Sequence, residues 1–222
     1  MIRNALIAGA TGLTGQDLAA LLLKSEYYNS LHIVGRRPYE LEHPKIRSYV
    51  VDFDNFHDFK AEGIIHDVYI CLGTTMKKAG SKQAFRKVDL EYVRNIGEWA
   101  VSHRVEKIAV ISSMGANASS ANFYLRTKGE MEQCLTDMNF SHIIILRPSL
   151  LLGKRQEFRF AEHMSSLLMK PFMGLMKGRL IKYKPVETRI VAEAMFKSTV
   201  QADERFIILK NTDIHRFRQD IG

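Results

Sequence analysis

Tyr124 and Lys128 stand four residues apart in NFYLRTKGE, residues 122–130, shortly after the paired hydroxyls Ser112 and Ser113 in ISSMGANASS, residues 111–120. Four residues make one helical turn, so both side chains fall on one face. A free phenol titrates near ~10 and moves protons poorly at neutrality, but an adjacent ammonium favours the phenolate. A serine hydroxyl could hold a carbonyl oxygen while Tyr124 gives or takes the hydroxyl proton. The spacing is commonplace on ordinary helices. Its meaning rests on what else the chain brings to the same place.

A second chemical motif opens the chain. An apolar run ends in GATGLTG, with Gly9, Gly12 and Gly15 spaced GxxGxxG before the helical stretch LTGQDLAALLL. Such glycines allow a tight turn, a close backbone approach to a pyrophosphate, and tight helix–strand packing. The helix start near Gly12 then offers free N–H groups and a positive dipole end to phosphates. A mere turn would not need this strand–turn–helix setting. The next apolar run ends in Gly35–Arg36–Arg37. Proteins that prefer the unphosphorylated dinucleotide place a carboxylate there for the ribose diol. Two guanidiniums instead suit a 2′-phosphate, so NADPH is the expected cofactor, although exposed arginines at a strand end would look the same. Position alone brings Asp52 and Phe53 towards the adenine, and Leu72, Gly73 and Thr74 towards the pyrophosphate and ribose. With a nicotinamide in the crevice, Lys128 would bind its ribose and the cofactor would exchange hydride with the substrate.

Elements that could position these groups alternate along the chain. Candidate strands cover 4–9, 31–35, 46–51, 67–72, 106–112, 141–147 and 205–210, with helices near 12–25, 81–103, 121–138 and 187–201. The strands are continuous apolar runs, as expected where helices cover both faces. This alternation predicts an α/β fold with a doubly wound, mostly parallel sheet of Rossmann type. The expected organisation is one domain over 1–222, with 153–186 as a variable cap on the substrate side.

With 222 residues and 46% hydrophobic content, the chain suits one well-filled core. Cys71 and Cys134 form no CxxC and read as reduced, buried thiols of a cytoplasmic protein. The N-terminus lacks a signal-peptide pattern, and no stretch is apolar enough for a membrane span. The eight histidines show no metal-ligand spacing, so no metal is expected. Trp99 reads as core, and Asp17 and Glu26 as solvated charges. Residues 154–189 carry nine Lys/Arg against three Glu within a net charge of +8. A solvated basic face, an anion-binding lid and attraction to an acidic surface all fit this segment. No reader motif points to nucleic acid. The run MSSLLMKPFMGLMKG, 164–178, suits core packing, a hydrophobic substrate mouth or a peripheral membrane contact.

Taken in order from about residue 4 to 201, GATGLTG, GRR, CLGTT, KAGS, ISSMGANASS, YLRTKGEME and LRPSLLLGKRQE resemble one family. It is the Tat-interactive oxidoreductase-like branch of the atypical short-chain dehydrogenases/reductases. The resemblance implies a Rossmann-type fold, NADPH binding, and a Ser–Tyr–Lys site reducing a small carbonyl substrate. It lays the phosphate turn on Gly9, Thr11, Gly12, Leu13 and Gly15, and the 2′-phosphate site on Arg36 and Arg37. Further cofactor contacts fall on Leu72, Gly73, Thr74, Arg147, Pro148, Leu151 and Arg159, with the catalytic roles on Tyr124 and Lys128. Three features depart from the wider superfamily. Asp89, in FRKVDLEYV, stands where an asparagine of the proton relay is usual. The gap from Ser113 to Tyr124 is short, and either Ser112 or Ser113 could be the active hydroxyl. The first departures leave a second expectation, an NADPH-binding regulator with little turnover. The long helices at 81–103 and 121–138 could pair across a homodimer, as in superfamily relatives.

Overall fold

Runs such as ALIA (5–8) and IIIL (143–146) put apolar side chains on both faces of an extended backbone, which is stable only between two covering layers. The computed structural model, which describes residues 3–153 and 182–221, builds that arrangement. Seven strands pair in parallel: β1 (Arg3–Ala8), β2 (Tyr28–Gly35), β3 (Ile46–Val50), β4 (Asp67–Ile70), β5 (Lys107–Ile111), β6 (His142–Arg147) and, after a two-residue ladder, β9 (Phe206–Lys210). That ladder joins β7 (Leu151–Leu152) to β8 (Val186–Glu187). Spatial order is β3-β2-β1-β4-β5-β6-β9, so the winding reverses between β1 and β4. A crevice opens at such a reversal, beyond the carboxyl ends of the strands.

Alternate residues of each inner strand feed two cores. On one side Leu18 and Leu22 of α1 (Leu13–Lys24) and Ile190 and Met195 of α6 (Thr188–Val200) cover Ala5, Ile7 and Ile144. On the other, Ile96 and Trp99 of α4 (Tyr92–Ser102) and Met131 and Leu135 of α5 (Phe123–Thr136) cover Leu6, Val68 and Ile108. Trp99 is core as expected, and its indole N–H donates to the Phe59 carbonyl at 2.9 Å. The edge strand β9 departs from the both-faces-buried pattern: Phe206 and Ile208 stay 41% and 44% exposed. Its sequence runs apolar, and on that face the Arg205 guanidinium lies over the Phe206 ring at 4.8 Å.

The helix expected over 81–103 is broken up. A short α2 (Met76–Ala79) ends at Gly80 in the left-handed region, and α3 (Lys82–Arg86) follows, capped by the Ser81 hydroxyl. One turn of π-helix (Lys87–Glu91) then leads into α4. Extra residues of this kind in a helix turn side chains out of their regular register and recur at functional sites. Asp17 is less solvated than its sequence context suggests, because it accepts a 2.6 Å hydrogen bond from the Thr188 hydroxyl and ties α1 to α6. Glu26 falls just after α1. Past β9 the chain adds α7 (Asn211–Ile214) and a 3-10 segment (His215–Ile221), neither of which shows a sequence period. The Met-rich run and Arg159 lie outside the described residues. So does all of the expected cap except Gly153 and 182–186.

Candidate active site

The carboxyl ends of β1, β4, β5 and β6 bring most of the chemistry-bearing residues to one edge of the sheet. Gly9 leaves β1 with φ +90°, and a Cβ there would lie 2.7 Å from the backbone carbonyl carbon and oxygen of Cys71. Only glycine fits that approach. A side chain on Gly15 would run into the Gly9 carbonyl, so both glycines hold the turn flat against β4. Gly12 closes the turn by donating to Gly9 at 3.0 Å and then serves as the N-cap of α1, which has no side-chain cap. Thr11 and Gly12 are exposed at the surface of this cradle, and Leu13 packs against Gly153. The turn therefore presents backbone and a helix N-terminus to an incoming anion. These residues fit the pyrophosphate of a dinucleotide.

Arg36 and Arg37 follow β2 and are both exposed. Asp52, beyond β3, closes its own turn by accepting from the Asp54 N–H (3.0 Å) and the Asn55 amide (2.8 Å). Those donors hold its carboxyl below the usual range. Phe53 is buried, stacked on Tyr92 at 5.2 Å, and its carbonyl accepts from the Asn95 amide at 2.9 Å. Leu72, Gly73 and Thr74 leave β4 beside the Gly9 turn. Cys71, with its sulfur turned against Met195 Sδ at 3.9 Å, has its thiol pushed up by desolvation to about 12. That removes it as a nucleophile. Both cysteines are free and partly rather than fully buried.

Tyr124 lies in the first turn of α5, capped by Asn122, whose side chain accepts the Leu125 N–H at 3.1 Å. Its ring leans on buried Phe85 (5.6 Å between centroids), yet the residue keeps 37% of its surface. One turn later Lys128 is buried. Its ammonium donates to the Ile111 carbonyl at 3.3 Å and sits 2.7 Å from Asp89 Oδ1. The second contact is close but misaligned for a hydrogen bond, so it acts through charge. Asp89, on the π turn and only 1% exposed, uses Oδ2 to accept the Thr74 N–H at 2.9 Å. One carboxylate thus joins the loop after β4 to the lysine of α5. Gly129 allows this depth, because a side chain there would strike the backbone of Asn117 and Ala118.

The two serines differ sharply. Ser113 is half-exposed and donates weakly to the Met114 carbonyl (3.4 Å). Ser112 is buried, and its hydroxyl has no hydrogen-bond partner among the described residues. Buried orphan hydroxyls are uncommon. The only other such side-chain atom among the described residues is Asp89 Oδ1, so both belong to residues around Lys128. Past β6, Arg147 is engaged by buried Glu132 of α5 through Nε and Nη2, and Pro148 accepts the Met114 N–H at 2.8 Å. Leu151 sits half-buried in β7. Sequence reading passed over Glu132, although its place in KGEME, one turn after Lys128, marks the same helix face. No group of residues among those described could hold a metal ion.

A parallel sheet whose winding reverses beside a glycine turn and an uncapped helix defines a Rossmann-type dinucleotide-binding protein. Residues 9–167 match the family model described as NAD(P)H-binding. The chain belongs to that NAD(P)H-binding family, in an atypical branch of the short-chain dehydrogenases/reductases. It is 32% identical to the HTATIP2 protein of Rattus norvegicus over 202 residues, 89% of this chain and 81% of that one. With the FMP52 protein of Candida albicans, named as mitochondrial, it shares 33% over 156 residues, 68% of each chain. MoeE5, solved in complex with UDP-glucose and NAD, superposes with a TM-score of 0.66 at 15% identity, covering 99% of this chain and 82% of its own. A UDP-N-acetylglucosamine 4-epimerase from Methanobrevibacter ruminantium gives 0.69 at 11% identity, covering 94% and 76%. At such identities the likeness is one of fold. No helix among the described residues is long and apolar enough to cross a membrane.

Proposed function

We propose that the protein is an NADPH-dependent oxidoreductase that reduces a small carbonyl compound. The observation that carries this reading is the pairing of a solvent-reachable phenol, Tyr124, with a buried ammonium one turn later that Asp89 ties to the loop at Thr74. A dinucleotide seated on the Gly9–Gly15 turn, with Arg36 and Arg37 on its 2′-phosphate, would run along Leu72, Gly73 and Thr74 towards that pair. NADPH, when bound, would supply the hydride for the reduction. Tyr124 gives its phenolic proton to the carbonyl oxygen, and Lys128 steadies the negative charge left on the phenol. A serine hydroxyl holds the carbonyl oxygen in reach. Half-exposed Ser113 is free to meet substrate, whereas Ser112 would need a partner brought into the interior.

Asp52 and the backbone at Phe53 would border the adenine. Pro148 and Leu151 would border the nicotinamide, with Arg147 acting through its pairing with Glu132 and Arg159 arriving from the segment 153–186. A homodimer through α4 and α5 belongs to the same reading, as does a cytoplasmic setting, which two free thiols support. The test is NADPH oxidation across a panel of small aldehydes and ketones, parent against Tyr124→Phe. A substrate whose turnover falls at least ~100-fold in the variant, with NADPH affinity kept, supports the assignment. Equal turnover in both proteins defeats it.

One observation favours a second reading, a regulator whose partner binding responds to NADPH. Lys128 already faces a carboxylate, so part of its influence on Tyr124 is spent within the protein. NADPH binding without turnover on any carbonyl, unchanged in Tyr124→Phe, would favour the regulator.

A further inference from the structure

Lys87 and Asp89 are two residues apart on the π turn and reach different ends of the crevice. Asp89 meets Lys128, while Lys87 reaches Asp54 in the loop after β3, Nζ to Oδ2 at 2.8 Å. Its ammonium also lies over the Tyr92 ring at 5.9 Å, and that ring stacks on Phe53. The Tyr92 hydroxyl is close enough to feel the charges of Asp54, Lys87, Arg36 and Asp52 together. Four separate pieces of the fold therefore meet at one spot: the end of β2, the loop after β3, the π turn and the start of α4. Two cations, Lys87 and Arg36, and two carboxylates, Asp52 and Asp54, gather around it. Arg36 and Arg37 make no hydrogen bond or ion pair among the described residues.

We propose that Lys87 is a third cation of the site that reads the adenosine 2′-phosphate, held by Asp54 until the phosphate arrives. The inference rests on the NADPH reading and deepens it. Asp52 and Asp54 both act on the spot that Arg36 reaches, so the guanidiniums that follow β2 would meet a phosphate there with little positive surplus. Lys87 tips that balance. Its pairing with Asp54 joins two half-exposed side chains, 43% and 46%, and such pairs exchange readily with solvent. A phosphate carries more charge and more acceptor oxygens than a carboxylate, so it can draw the ammonium across, leaving Asp54 to water. A nucleotide without the 2′-phosphate offers Lys87 no reason to leave Asp54. The exchange therefore acts on discrimination between the two nucleotides, and hardly on adenosine binding itself.

Calorimetric titration with 2′,5′-ADP and 5′-AMP separates these terms without any turnover. The parent should bind 2′,5′-ADP more tightly than 5′-AMP. Lys87→Gln should weaken 2′,5′-ADP by roughly 5–10-fold and leave 5′-AMP within about 2-fold, while Lys87→Arg keeps most of the preference. Asp54→Asn, which releases Lys87, should strengthen 2′,5′-ADP by about 2–3-fold. If Lys87→Gln weakens both nucleotides alike, the lysine only packs on Tyr92 and the proposal fails. It also fails if Lys87→Gln keeps the full preference while Arg36→Ala with Arg37→Ala removes it, a result that leaves the NADPH reading standing. A parent that shows no preference for 2′,5′-ADP overturns the NADPH reading itself, and this inference with it.

Discussion

Asp89 is the residue whose meaning changes most between sequence and structure. Read along the chain, it replaces a relay asparagine and looks like a loss. In the fold it gains two partners, the Thr74 N–H and the Lys128 ammonium, in an interior that leaves it 1% exposed. A buried charge is tolerable only beside its opposite. Lys128→Met or Asp89→Leu alone should therefore cost about 3–5 kcal/mol of unfolding free energy, since each strands the other's charge. The double variant should recover most of this and lie within about 1–3 kcal/mol of the parent, the remainder being the Thr74 N–H left without its acceptor. Urea unfolding of the four proteins measures the cycle. A double variant as unstable as the sum of the singles would mean that the two charges do not depend on each other.

Elements were far more legible than partners. All seven long strands and the helices that flank them follow from apolar runs and helical spacing, because burial on both faces leaves a strong imprint on residue type. The break in the helix at 87–91 left no such imprint: KVDLE is good helical sequence, and the π turn answers to where Asp89 and Lys87 must point. Nor could sequence reveal that β2 carries a buried polar residue. His32 is 1% exposed, stacked on Tyr49 and hydrogen-bonded to Ser30 Oγ at 3.0 Å and the Tyr49 hydroxyl at 3.2 Å. Burial lowers it from 6.5 to about 4, so the native state holds it neutral. Its folded value lies below its unfolded one, so its stabilising effect is complete above about pH 6.5 and fades as pH falls towards 4. From the two values, moving from pH 7 to pH 5 should cost about 2 kcal/mol through this residue. His32→Phe should flatten that part of the pH dependence of urea unfolding. A variant with the parent's full pH dependence would shift the cause to another group.

Across the whole molecule the two ends of the sheet are built for different tasks. At the amino ends of the strands, buried Asp67 takes hydrogen bonds from the Arg3 guanidinium (2.7 and 3.1 Å) and the Tyr28 hydroxyl (2.7 Å). Tyr28 meets Tyr69 at 2.7 Å in turn, and Lys107 donates to the last carbonyls of α6 at Thr199 and Val200. Every polar group named there has a partner; the knot clamps β1, β2 and β4 together, and Lys107 ties β5 to α6. At the carboxyl ends the backbone bends sharply, the N-terminus of α1 has no side-chain cap, and the buried Ser112 hydroxyl has no hydrogen-bond partner among the described residues. Polar groups left without partners are what a ligand can satisfy, and a fold can carry them only if stability is secured elsewhere. The two ends should therefore fail separately. Asp67→Ala removes the acceptor at the centre of the knot and should cost about 3–5 kcal/mol, yet folded protein should bind NADPH with the parent's affinity. Gly9→Ala places a methyl group against the Cys71 carbonyl at a φ that L-residues avoid. It should weaken NADPH by at least about 10-fold while costing about 1–3 kcal/mol. Fluorescence titration of NADPH, paired with urea unfolding, reads both quantities. Equal losses of affinity in the two variants would show that binding merely follows global stability, and the division between the ends would not hold.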